Sequence, residues 1–345
     1  MKPDVTDRLR PSIHPTYARL LCAWLRQRGF DTATILRGTR LSWDALVHDN
    51  RFISLEQMNR LVRRGVSLTG MPWLGLEVGK VTQVSAHGPV GYAAVSAPDV
   101  RTICQVMTRF APLRLQLLEY SYEEQGQACE MGARETIDLG DSREYVLCAN
   151  ATVLFLIIQT TTGQRLENAE VHFPYPQPDW VSHYREFFGE GLCFDADSYH
   201  VRFPLEVLDW PTLTADASAH QQSLRECERL MTQMQAGGAL AQKIRHRLLD
   251  CQHQYPTLEA MATELGMSRR TLIRHLRQQG SSYQELLDDV RKEQAVWYLE
   301  QTDLSVEQVA ERLGYQDTSN FSRTFRRWFS ETPRAMRQSL RDGSR

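Results

Sequence analysis

One pattern occurs twice in the last hundred residues, and this near-repeat constrains the chain more than any other feature. The fuller copy is Ser305 to Arg337, SVEQVAERLGYQDTSNFSRTFRRWFSETPRAMR. Val306, Val309, Ala310 and Leu313 recur at i, i+3, i+4 and i+7, the spacing of one helix face. Ser305 is placed to cap that helix, its hydroxyl accepting from an orphan N–H of the first turn. Gly314 is placed to end it, because a residue without Cβ turns the chain at little cost. A second helix is predicted from about Thr318, with Phe321, Phe325 and Trp328–Phe329 on its apolar face and Asn320, Arg323, Arg326 and Arg327 elsewhere. Pro333 cannot continue it.

The other copy is Leu258 to Gln279, LEAMATELGMSRRTLIRHLRQQ. Ala262, Leu265 and Gly266 stand 48 residues before Ala310, Leu313 and Gly314. Beyond the turn the offset is 49, aligning Leu272 with Phe321, Arg274 with Arg323, Leu276 with Phe325 and Arg277 with Arg326. One extra residue in the second turn explains the slip. Two short helices, a small residue at their crossing, a glycine in the turn and a basic second helix make a helix-turn-helix. The second helix of such a unit fits the DNA major groove.

Charge supports this. The whole chain carries −2, which by itself argues against nucleic acid. From Gly237 to Arg345, however, 17 Lys and Arg face 14 Asp and Glu, so the excess of acid lies elsewhere. Local basic density governs phosphate contact more than the overall sum does. A lone Arg326-Arg327 reads as a solvated face, but arginines at one register in two related helices point to DNA. Arginine's planar fork pairs bidentately with guanine O6 and N7. Side chains near each helix start are expected to reach bases: Arg269, Arg270, Ile273 and Arg274 in the first, Thr318, Ser319, Asn320 and Arg323 in the second. Arg277, Arg326 and Arg327 are expected on phosphates.

These motifs resemble the AraC/XylS family of bacterial transcription regulators. The likeness adds Arg291-Lys-Glu-Gln-Ala295 with Leu299, Tyr315, Thr332-Pro333 and Arg337. It implies two helix-turn-helix units joined by one long helix, with recognition helices in two adjacent major grooves on one DNA face. Asp317, just before the second recognition helix, adds a negative charge there, which helix N-termini tolerate.

The first two-thirds reads as α+β. Helices are expected within residues 12–76, with caps at Ser42 and Ser54. Gly88-Pro89 and Gly91 break the pattern, and Pro98-Asp99 opens a helix that ends at Ala111-Pro112. Strands are expected at Leu113–Tyr122, Ala128–Arg134, Glu170–Tyr175, Cys193–Asp195 and Tyr199–Phe203, and helices at Tyr145–Thr161 and Trp180–Phe188. This part resembles the arabinose-binding-like sensor module found ahead of some AraC-type regions. The motifs are His87-Gly88-Pro89-Val90-Gly91-Tyr92, Phe110–Leu113, Glu170–Tyr175 with Tyr184 and Phe187-Phe188-Gly189, Phe203-Pro204, and Leu208-Asp209. The resemblance implies a small-molecule sensor with a dimerisation surface, and it does not specify a sugar.

Other chemistries find little footing. Seven scattered cysteines without a CxxC pair suggest neither a disulfide framework nor a zinc site, and fit a reducing cytoplasm. His172, His183, Cys193 and His200 match no compact metal motif. No GxSxG, P-loop or GxGxxG occurs, so no enzyme is indicated. The apolar run Tyr145–Ile158 is interrupted by Asn150 and too short to span a bilayer.

The expectation is therefore a cytoplasmic, ligand-responsive transcription regulator, not an enzyme, without cofactor or metal. Residues 1–214 form an α+β sensing and dimerisation domain, and residues 215–238 a linker helix ending in a flexible Gly237-Gly238 joint. Residues 239–345 form an all-α DNA-binding domain with helix-turn-helix units at 257–279 and 305–329. Its partners are double-stranded DNA, a small-molecule effector, a second copy of the chain and RNA polymerase, with no membrane. The alternative is a regulator whose N-terminal domain only dimerises or binds a protein.

Overall fold

Local side-chain caps set where many of the helices begin, as the computed structural model shows. It describes residue 8 and residues 11–49, 51–251, 254–278, 282–329 and 331–342. The chain divides into two compact units, Met1–Met231 and Thr232–Arg345.

In the first unit, Pro11–Ile13 (β1) precedes the helices Pro15–Gln27 (α1) and Thr32–Leu36 (α2). A short strand, Ile53–Ser54 (β2), pairs antiparallel with β1. Ser54 and Gln57 then form a reciprocal capping box that starts Leu55–Thr69 (α3). At Ser42, the expected cap accepts from Ala45 N at 3.2 Å, but the turn that follows, Ala45–Asp49, is π-helical. Leu74–Val81 (α4) follows. His87-Gly88-Pro89 does not merely break the pattern: Pro89 opens a further helix, Pro89–Val95 (α5). Proline suits a first helical position because its missing N–H is an orphan there anyway. Asp99 caps Val100–Phe110 (α6), accepting from Thr102 N at 2.8 Å.

The strand expected over Leu113–Tyr122 is only half present. Ala111–Leu113 is a 3-10 turn around Pro112, and the strand itself is Leu118–Gln125 (β3). The segment between runs beside β1, with His14 N donating to Arg114 O at 2.9 Å and Gln116 N to Ser12 O at 2.8 Å. Ala128–Glu135 (β4) returns from the hairpin, and Arg143–Thr162 (α7) follows. Then come Glu170–His172 (β5), Val181–Phe188 (α8), Leu192–Cys193 (β6) and Tyr199–Pro204 (β7). The five-stranded sheet has the order β3-β4-β7-β5-β6, antiparallel except for the parallel pair β5 and β6. Tyr199, Val201 and Phe203 alternate inward along β7 and meet Cys129, Met131 and Ala133 of β4 in the core. The fold class is thus α+β, with helices packed beside a mostly antiparallel sheet.

α7 is long and apolar enough to cross a bilayer by composition, but most of it is buried within this unit. Its apolar residues spread over most of its circumference, as in a largely buried helix, with Gln159 and Thr160 exposed near its end.

Ala217–Leu249 (α8's successor, α9) is one helix of 33 residues that runs through Gly237-Gly238. The expected joint lies within this helix, and the division between units also falls within it. Two glycines cost a helix about 1 kcal/mol each relative to alanine, a modest penalty for so long a helix. Leu224, Cys227 and Met231 of α9 pack in the first unit's core, and Leu240, Ile244 and Leu248 in the second's.

The second unit is all helical among its described residues: Leu258–Glu264 (α10), Arg269–Gln278 (α11), Tyr283–Gln301 (α12), Val306–Arg312 (α13), Thr318–Phe329 (α14) and Pro333–Asp342 (α15). α12 serves two cores. Tyr283, Leu287 and Val290 pack with Met261, Leu272 and Leu276, while Ala295, Val296 and Leu299 pack with Val309, Phe321 and Phe325.

Candidate nucleic-acid interface and a buried cavity

The two turns match bond for bond. Thr257 accepts from Ala260 N, and Ser305 from Gln308 N, both at 3.2 Å. After the first helix, Leu265 N donates to Met261 O, Gly266 N to Thr263 O and Met267 N to Ala262 O, at 3.1, 3.0 and 2.9 Å. The same three bonds recur 48 residues later from Leu313, Gly314 and Tyr315 to Val309, Glu311 and Ala310, at 3.1, 2.9 and 3.0 Å. Gly266 and Gly314 sit at φ +67° and +71°, the left-handed region that penalises any residue with a Cβ. Past the turn the offset becomes 49. Ser268 accepts from Thr271 N at 3.1 Å, and Asp317 from Asn320 N at 2.6 Å. Asp317, an oddity in the sequence, thus caps the second recognition helix.

The duplicated geometry turns α11 and α14 the same way in their own helix pairs. Leu272 and Leu276, and likewise Phe321 and Phe325, are buried, so the residues between them face outward. Arg269, Arg270, Arg274 and Arg277 are exposed on α11, and Ser319, Asn320, Arg323, Arg326 and Arg327 on α14. Ile273 and Thr318 are half-buried. Arg269 is held by Glu259 of α10 at 2.9 Å, a pair so exposed (63% and 61%) that it contributes little.

Arg291 of α12 is a contact that periodicity alone does not single out. Its Nε donates to Leu313 O at 3.1 Å, in the second turn. Its guanidinium lies 4.9 Å from the Tyr255 ring centre and 5.0 Å from that of Tyr315. Gln294, one turn on, accepts from the Tyr255 hydroxyl at 2.5 Å and donates to Leu249 O at 3.3 Å.

The first unit contains a partly open cavity of about 130 Å³, lined from β1, α1, α3, α4, α5, α6, α7, the five-stranded sheet and the Ala111–Leu115 bend. Among the described residues lining it, Arg114 alone is charged at neutral pH, and neither Asp nor Glu is present. The Tyr17 hydroxyl and His87 Nδ1 are 3.0 Å apart, and Tyr120 donates to Asn150 Oδ1 at 2.7 Å. His87 Nε2 and Arg114 Nε are shielded from solvent without a hydrogen-bond partner. Burial, aided by the charge of Arg114, pushes His87 down to about 4, so its ring is neutral near pH 7. Sequence periodicity misses this site because its lining is spread over much of the unit. The one trace is Arg114, a lone charge within the apolar stretch Phe110 to Leu118.

The four residues weighed as metal ligands do not converge. His172 and His200 stack at 4.1 Å across paired strands, whereas His183 stacks on Trp73 at 3.9 Å. Among the described residues no group of three or more His, Cys, Asp or Glu is placed to hold a metal.

Comparison with known proteins agrees with this architecture. Residues 29–212 match the family model of the arabinose-binding domain of AraC transcription regulator, N-terminal, and residues 261–339 match a helix-turn-helix domain model. The chain is 32% identical over 326 residues to the ornithine utilization regulator of Pseudomonas aeruginosa, spanning 94% of this chain and 95% of that one. It is 41% identical over 86 residues to the transcriptional activator RhaS of Escherichia coli, covering 25% of this chain and 31% of that protein. Among solved structures, the regulator CdpR of Pseudomonas aeruginosa aligns over 94% of this chain and 98% of its own, with 26% identity and a TM-score of 0.45. With one family model spanning more than half of the chain and a relative matched along nearly all of it, the chain belongs to the AraC family and is a DNA-binding transcription regulator.

Proposed function

We propose that this regulator reads a specific operator through both helix-turn-helix units and is controlled by a small molecule bound in its N-terminal unit. The observation that carries the first half is the bond-for-bond match of the two turns, which gives α11 and α14 equivalent outward faces. In this reading Arg270, Ile273 and Arg274 of α11, and Thr318, Ser319, Asn320 and Arg323 of α14, reach bases. Arg277, Arg326 and Arg327 hold phosphates, and Arg269 is divided between DNA and Glu259. Two such helices suit two adjacent major grooves, one helical turn apart.

Effector control is supported by the cavity, a lined space with a few convergent polar groups, as small-molecule sites commonly are. The ornithine utilization regulator is named for the use of a small metabolite, which is consistent with metabolite control here. A second copy of the chain and RNA polymerase are the further partners of this reading. The test is genome-wide mapping of the DNA bound by the full-length chain, followed by mobility-shift assays on the recovered sites with and without metabolite extract. A recovered motif bound over scrambled DNA, with affinity changed by the extract, is the expected result. Specific binding that no extract alters leaves the DNA half standing and favours an N-terminal unit that only dimerises or binds a protein.

A further inference from the structure

We infer that the cavity of the N-terminal unit is a site for a small monocarboxylate with a compact apolar body, its carboxylate drawn by Arg114. The inference rests on the effector-controlled reading above and gives its ligand a chemical class.

Three observations lead there. The first is an uncompensated charge: Arg114 lines the cavity, and no Asp or Glu does among the described residues. Burial lowers its pKa, yet a guanidinium does not lose its proton in a protein. A half-buried cation without a counter-charge attracts an anion. A cationic ligand meets repulsion in the same place.

The second is what surrounds that charge. Arg114 Nη2 donates to Ala86 O, and its Nε–H has no acceptor. His87 Nε2 is also without a partner. Among the described residues, neither side chain meets an acidic group in the cavity wall, and a carboxylate is the charge complement that the guanidinium lacks.

The third is size and polarity. Tyr120 and Asn150 satisfy one another, and the rest of the wall is largely apolar, including Val78, Leu154 and Ile157. A cavity near 130 Å³ resembles the roughly 150 Å³ that admits a benzene-sized molecule. This fits a ligand body of about six to ten non-hydrogen atoms within the cavity.

The experiment uses the full-length chain and pairs of probes: butanoate, hexanoate, benzoate and phenylacetate, the amide of each, and hexylamine and benzylamine. Thermal shift and calorimetric titration are run on each, with mobility shift on a recovered operator in parallel. At least one acid is expected to raise the melting temperature, with its amide at least about 30-fold weaker, the scale of losing a buried charged partner. Arg114→Gln is expected to erase that binding and Arg114→Lys to retain part of it. Because Arg114→Gln also removes the bond to Ala86, the acid-to-amide ratio on the unaltered chain decides if that variant does not fold. No binding by any acid, or amides and amines binding as well as acids, overturns the assignment. If an amide or amine binds and alters operator affinity, effector control stands and the carboxylate class falls. If an acid binds without altering operator affinity, the carboxylate site stands and effector control falls.

Discussion

Arg291 and Leu313 are joined by a hydrogen bond of 3.1 Å from a guanidinium Nε to a main-chain carbonyl. The bond ties the helix between the two DNA-binding units to the turn of the second. Helix-end carbonyls such as this one have no intrahelical partner, so an outside donor satisfies a group that otherwise needs water. The same guanidinium faces the rings of Tyr255 and Tyr315, which flank the first and second units.

Arg291→Met, which keeps the apolar stem, is expected to lower stability by about 2–3 kcal/mol, combining a charged hydrogen bond with two cation–π contacts. Arg291→Lys is expected to recover less than half, because an ammonium does not reproduce the planar fork. Urea unfolding of the full-length variants measures both. Equal stability of Arg291→Met and the parent contradicts the role.

Asp317 caps α14 through Asn320 N at 2.6 Å. Asp317→Asn keeps an acceptor at that place, whereas Asp317→Ala does not and is expected to cost about 1 kcal/mol. Thermal melts distinguish the two. If asparagine is as harmful as alanine, the side chain acts through its charge rather than as a cap.

Base and phosphate contacts separate by specificity and by salt. Arg270→Ala and Arg323→Ala are expected to lose about 1–3 kcal/mol of discrimination between operator and scrambled DNA. Arg326→Ala is expected to weaken both DNAs alike and to flatten the slope of log K against log salt by about 0.9. Affinities across a salt series test this. A common factor for both DNAs in Arg270→Ala removes its base-reading role.

Acid is expected to weaken the N-terminal unit. Burial, then the charges of Arg114 and Arg19, pushes His14 down to about 3, and burial and Arg114 push His87 down to about 4. Both shifts are downward, so below pH 6.5 the unfolded chain takes up protons that the native state refuses. Their effect on stability is absent above pH 6.5, grows as pH falls, and levels off below about 3–4. Each histidine contributes about 1.4 kcal/mol per pH unit within that window. Urea unfolding between pH 7.5 and 5 is expected to show the decline, and His87→Gln to flatten it. An unchanged pH slope in His87→Gln contradicts the assignment.

The repeat was legible because its signals are local. Caps, turn glycines and apolar spacing act within a few residues, and even the slip from 48 to 49 reappears in the hydrogen bonds of Ser268 and Asp317. The sensor unit was less legible. Leu113, Leu115 and Leu117 alternate because residues 114–116 lie beside β1, a partner a hundred residues away, so alternation alone placed β3 too early. Gly237-Gly238 reads as a joint because glycine is a poor helix former, and the pair lies within α9. The cavity had no sequence signature, since Tyr17, His87 and Arg114 come from three separated segments.

The most direct test of the account is footprinting of the full-length chain on a recovered operator, with reagents that report on major-groove guanines and on the backbone. Two protected major-groove segments about one helical turn apart on one DNA face are predicted, with Arg270→Ala opening one of them and Arg323→Ala the other. A single protected segment, or loss of both from either substitution without loss of folding, contradicts reading by two equivalent helices.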